Sequence, residues 1–116
     1  MELKNNDYSV FYEESNQNIE IKFKGSLRLS GMEEYEPITE LLNQAIENQP
    51  IKITLNLQHL EFLNSSGINI LSKFVINVRK IGIKDMIVQG SKNIPWQKKS
   101  LTNLQRLMPN LKLELE

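Results

Sequence analysis

Apolar residues recur along this chain at two spacings, and the spacing switches at nearly every polar break. Ile19, Ile21 and Phe23 alternate with Glu20, Lys22 and Lys24, a period of two that gives a strand one apolar face. After Gly25 the alternation resumes with Leu27 and Leu29, and it returns in Ile51, Ile53, Leu55 and Leu57. Between these runs, Ile38, Leu41, Leu42, Ala45 and Ile46 recur at three-and-four spacing, the stripe of an amphipathic helix. One-faced strands and one-striped helices bury their apolar sides only against each other, so the chain must build a layered α/β fold.

The remaining elements follow by the same reading. Tyr8 to Tyr12 is rich in aromatic and β-branched residues and reads as a strand. The polar cluster from Glu13 to Asn18 reads as the turn of a hairpin. Glu33, Glu34 and Glu36 open the first helix, where carboxylates meet the positive end of the dipole, and Pro37 falls in its first turns, where proline is tolerated. A second helix runs from about Ser65 to Ile81, with Ile68, Leu71, Phe74 or Val75, Val78 and Ile81 as its stripe and Gly82 as its stop. Ile83 to Val88 is a short strand, Gly90 to Pro95 a loop, Trp96 to Met108 a third helix, and Leu111, Leu113 and Leu115 mark a last strand. The order is β-β-α-β-α-β-α-β. It predicts one domain over residues 1–116, a mixed, mostly parallel sheet, and right-handed crossovers that place the helices mainly on one side.

Composition removes several function classes. The 116 residues include no Cys and one His, which excludes a disulfide framework, a thiolate metal site and a histidine cluster within one chain; no metal or cofactor is expected. No apolar run approaches the ~18 residues of a membrane span, and the start Met1 to Asp7 lacks the basic-then-apolar pattern of a signal peptide, so the expected address is the cytoplasm. No glycine-rich phosphate loop follows a strand. Net charge is zero but unevenly placed: residues 1–61 hold eleven acids and five bases, residues 62–116 three acids and nine bases. Either the two halves of a small fold attract each other, or the asymmetry marks a binding face. Nucleic acid is not the expected partner, because the bases are scattered without interleaved aromatics.

One constellation carries chemistry. Leu55 to Gly67 sets a strand, a short connection and a helix start in sequence. Asn64 is a strong N-cap type, and Ser65, Ser66 and Gly67 fall in the first turn, where backbone N–H groups have no intrahelical partner. A hydroxyl there sits in a field that favours added negative charge. A phosphate on Ser65 would add about −1.5 to −2 charge. The same run also serves as a plain cap. Ser65 as a hydrolase nucleophile would need a base, but the lone His59 lies six residues upstream and no G-x-S-x-G elbow exists; His59 reads as a loop or strand-end residue. Trp96, beside Pro95, reads first as an anchor of the third helix, and with Gln97, Lys98 and Lys99 it is a candidate partner contact.

The stretch from Ile51 to Lys80, centred on LNLQHLEFLNSSGINIL, resembles the signature of the STAS domain, and more narrowly that of the bacterial anti-sigma factor antagonists. The element order matches that family along nearly the whole chain. The segment SKNIPWQKKSLTNLQRLMPNL lies outside the short signature and resembles a divergent STAS-like subgroup. The resemblance implies a binding module, not an enzyme. Such a module captures an anti-sigma factor or related serine kinase, is phosphorylated by it on the first hydroxyl of a D-S-[ST]-G-type motif, and is restored by a phosphatase. That residue here is Ser65; Asn64, Ser66, Gly67 and Trp96 complete the candidate partner-binding set. Asn64 stands where the family usually has Asp, keeping the capping oxygen without the charge. The departure motivates two alternatives: a module that senses a small ligand such as a nucleotide, and a constitutive scaffold that is never phosphorylated.

Overall fold

The computed structural model describes residues 2–116. Six strands form one sheet in sequential order: β1 (Glu2–Lys4), β2 (Tyr8–Ser15), β3 (Asn18–Leu27), β4 (Lys52–Leu63), β5 (Asp85–Gly90) and β6 (Lys112–Leu115). The first three pair antiparallel, and β3 through β6 pair in parallel. Helices α1 (Gly31–Glu34), α2 (Glu36–Ile46), α3 (Ser65–Lys80) and α4 (Gln97–Leu107) fill the connections between the parallel strands. Three successive crossovers of one hand between neighbouring strands put all the helices on one face. The expected order is met with two additions, the edge strand β1 and the short helix α1.

Alternation decides what each face of the sheet sees. Ile53, Leu55 and Leu57 of β4, with Ile19, Ile21 and Phe23 of β3, are buried beneath the helices. Their neighbours Thr54, Asn56, Glu20 and Lys22 are only half-buried on the open side. There Lys22 and Lys24 lie 5.7 and 5.8 Å from the centre of the Phe11 ring, so the half-buried aromatic is covered by cations rather than left bare. The helices answer with Ile38, Leu41 and Leu42 of α2, Leu71, Phe74 and Val78 of α3, and Leu101 and Leu104 of α4, all buried. Each such side chain contributes about 1.5–3 kcal/mol on leaving water.

Two boundaries depart most from the sequence reading, while Leu29, Ile51, Ile81, Ile83 and Leu111 fall one or two residues outside their elements. The six-residue polar turn is a two-residue one: Ser15 pairs with Asn18, and Asn16 and Gln17 both take positive φ, 52° and 67°, the conformation that matches strand twist in a tight hairpin. Glu13 and Glu14 stay on strand because they pair across to Glu20 and Ile19. The second difference is β4, which runs on to Leu63 instead of yielding to a connection after Leu57. Register shifts against β3 at Lys22/Lys24 and Gly25/Ser26 insert one extra residue each into β4. These bulges re-aim the strand, so buried residues fall at Leu57, Leu60 and Leu63, three apart rather than two. His59 is therefore an exposed strand residue.

Candidate functional site

The bulged end of β4 delivers Asn64 to the start of α3. Asn64 is extended (φ −83°, ψ 177°) and caps the helix: its Oδ1 accepts from the Gly67 amide at 3.0 Å, and its carbonyl accepts from Ile68 N–H at 3.0 Å. The same Oδ1 accepts from the Tyr35 hydroxyl at 2.7 Å, and Nδ2 donates to the Leu29 carbonyl at 2.7 Å. One amide thus ties three segments: the helix start, the exit of β3, and the junction of α1 and α2. Both ends of its side chain are engaged, one as acceptor and one as donor. An aspartate could repeat the first role but would set an oxygen against the Leu29 carbonyl, which explains why Asn fits here.

Tyr35 is the residue that sequence reasoning missed. It sits among Glu33, Glu34 and Glu36 yet is 1% exposed. Burial pushes its phenol above the ordinary value, so the neutral donor is the form the cap uses. Its three-and-seven spacing to Ile38 and Leu42 continues the α2 stripe, the one signal that placed it inside. Gly67 is buried beneath it, and a Cβ there would stand 2.8 Å from the Tyr35 hydroxyl. The glycine of the motif is thus a packing requirement of the cap.

Ser65, the first helical residue, is exposed, and Ser66 is half-buried. The cap bonds run through Asn64, Gly67 and Ile68, so the Ser65 hydroxyl has no part in holding the helix. The amides of Ser65 and Ser66 belong to the helix start that has no intrahelical acceptor. Alongside, the Arg28 guanidinium covers the Phe62 ring at 4.6 Å, leaving Phe62 37% exposed.

Trp96 is half-buried at the start of α4, and its Nε1 donates to the carbonyl of Glu61, four residues before Ser65, at 3.0 Å. It is an anchor on the same rim of the sheet, the one where β4 and β5 end and α3 and α4 begin. Gln97, grouped by sequence with an exposed contact, is instead fully buried. Its Nε2 donates to the carbonyls of Leu57 and Leu60 at 2.7 and 3.0 Å, and its Oε1 accepts from Ser91 N–H at 2.7 Å. The carbonyl of Leu60 lies in the bulged part of β4, where ladder pairing is disrupted, so Gln97 stands in for a strand. Lys98 and Lys99 are exposed. Among the described residues no group of acidic, His or Cys side chains could hold a metal, and no helix is long and apolar enough to cross a membrane.

The sheet is mixed, its helices lie on one face, and an exposed serine opens a helix on the rim where β4 and β5 end. The STAS domain model matches residues 27–115, and the chain belongs to the STAS family. Three solved structures share the fold. An anti-sigma factor antagonist from Mycobacterium paratuberculosis is 19% identical, with 91% of this chain and 86% of that one covered at TM-score 0.68. The Bacillus cell fate determinant SpoIIAA in its phosphorylated form is 18% identical, with 92% of each chain covered at TM-score 0.62. A DUF3478-family protein with a SpoIIAA-like fold from Shewanella loihica PV-4 is also 18% identical, with 98% and 90% covered at TM-score 0.56. No curated protein matches the chain.

Proposed function

We propose that this protein is a bacterial, cytoplasmic regulator of the anti-sigma factor antagonist type, a non-enzymatic binding module acting in transcriptional signalling. Its docking surface is the rim around Asn64, Ser65, Ser66, Gly67 and Trp96. Its partner is an anti-sigma factor or related serine kinase, which ends the complex by phosphorylating Ser65, and a phosphatase restores it. The carrying observation is the division of labour at the start of α3: Asn64 caps the helix internally while Ser65 stands exposed. A phosphate on Ser65 meets the positive helix end and disrupts no existing bond. It does replace a neutral hydroxyl with a group of about −1.5 to −2 charge, which a neutral or acidic partner face rejects. The phosphorylated state solved for the similarly folded Bacillus protein supports this reading.

The test is incubation with the partner kinase and ATP, read by intact mass and by binding. One phosphate should appear in the wild type and none in Ser65→Ala, and Ser65→Asp should bind the partner at least about tenfold more weakly, a penalty of about 1.4 kcal/mol. A Ser65→Asp protein that binds like wild type would sink the switch and leave a constitutive scaffold.

A further inference from the structure

The outer surface of the helix layer is divided by charge. Residues 29–51, which hold α1 and α2, contain five acids and no base; residues 91–113, which hold α4, contain five bases and no acid. Glu33, Glu34, Glu36, Glu40 and Glu47 are all exposed, as are Lys98, Lys99 and Arg106 on α4. Helix α3 packs between α2 and α4; its exposed Arg79 donates to the Leu107 carbonyl at 3.1 Å and joins the basic side, while Lys73 lies toward the acidic side, its Nζ 4.0 Å from Met32 Sδ. No ion pair joins the two halves among the described residues. Among the described residues the one ion pair joins Lys22 to Glu20 at 4.0 Å, on the open sheet face and inside the acidic half. Both charged sides are therefore left facing solvent without partners.

We infer that this face pairs with the same face of a second copy. All three long helices cross between parallel strands and so run in one direction. A two-fold axis along that direction, in the plane above the layer, lays the acidic side of each copy over the basic side of the other. The contact is made twice and closes, as an isologous interface must. A second copy is the one partner shown to carry both matching charges in nearly equal number. Exposed ion pairs contribute little each and are screened by salt, so the dimer is weak, reversible and favoured at low ionic strength.

Sedimentation equilibrium of the full chain tests this. Wild type should show concentration-dependent mass rising toward two chains at low salt and one chain at about 0.5 M salt, where screening shortens to a few ångströms. K98E/K99E/R106E and E36K/E40K/E47K should each raise the dissociation constant at least about tenfold, with helical circular dichroism unchanged. An equimolar mixture of the two variants should restore the dimer, since one is acidic and the other basic on both sides. A wild type that stays single at low salt, a reversal variant that pairs as well as wild type, or a mixture that fails to pair overturns the proposal. Open-ended growth beyond two chains overturns the two-fold arrangement.

Discussion

Helices α3 and α4 begin in the same topological place, after a parallel strand and on the same rim, yet their first residues do opposite things. At α3 the cap is a side chain just outside the helix, Asn64, and the first helical residue, Ser65, faces solvent. At α4 the residue before the helix, Trp96, offers no side-chain cap, and the first helical residue, Gln97, turns wholly inward to bind two carbonyls of β4 and the Ser91 amide. The second start is a bolt: its polar atoms are spent on holding the sheet end. The first is held from beneath, by Asn64 and Tyr35, and so leaves its hydroxyl available.

Gln97→Leu breaks the bolt and should have the largest effect. It strands the carbonyls of Leu57 and Leu60 and the Ser91 N–H, costing at least about 3 kcal/mol at 1–3 kcal/mol per buried unpaired group; urea unfolding would measure it, and a loss below about 1 kcal/mol would show that water replaces the side chain. Asn64→Asp acts on the other start. It keeps the cap but loses the donor to Leu29, for an expected loss of about 1–3 kcal/mol.

Tyr35→Phe should have a smaller effect, about 1 kcal/mol for the lost hydroxyl bond, and a distinct pH signature. The folded-state phenol is raised by burial above its ordinary 10.0. The neutral form is thus favoured by folding, and its stabilisation is full below about pH 10 and lost as pH rises through the higher folded value. Denaturant midpoints from pH 8 upward, within the stable range, should fall more steeply for wild type than for Tyr35→Phe; parallel curves would show that the hydroxyl is not the group that titrates.

What the sequence displayed and what it hid have the same cause. Periodicity exposes elements that are half in water, so the strand from Ile19 and the α2 stripe were visible, and the α3 stripe in part: Leu71, Phe74, Val75 and Val78 are buried as expected, but Ile81 is exposed and the buried Ile70 lay outside the expected stripe. It fails where the backbone departs from a regular period. The bulges of β4 convert alternation into the three-residue spacing of Leu57, Leu60 and Leu63, which looks like a loop leading into a helix. Edge strand β1 has only three residues, too few to show a pattern. At the site, Asn64 was legible as a cap because local side-chain-to-amide bonds are encoded over three residues. Its ties to Leu29 and Tyr35 span 35 and 29 residues, and those of Gln97 to Leu57 and Leu60 span 40 and 37. Such bonds exist only once the sheet has assembled, so a polar letter beside lysines reads as surface until the fold turns it inward.

The most direct measurement for the account is the unfolding free energy of the chain carrying a negative charge at position 65, as Ser65→Asp or as the phosphorylated protein. The exposed hydroxyl and the separate cap predict stability within about 0.5 kcal/mol of wild type, with any change favouring the charged form at low salt. A loss of about 2 kcal/mol or more would mean that the serine helps hold the helix start, and that adding charge there unfolds the domain rather than altering what it binds.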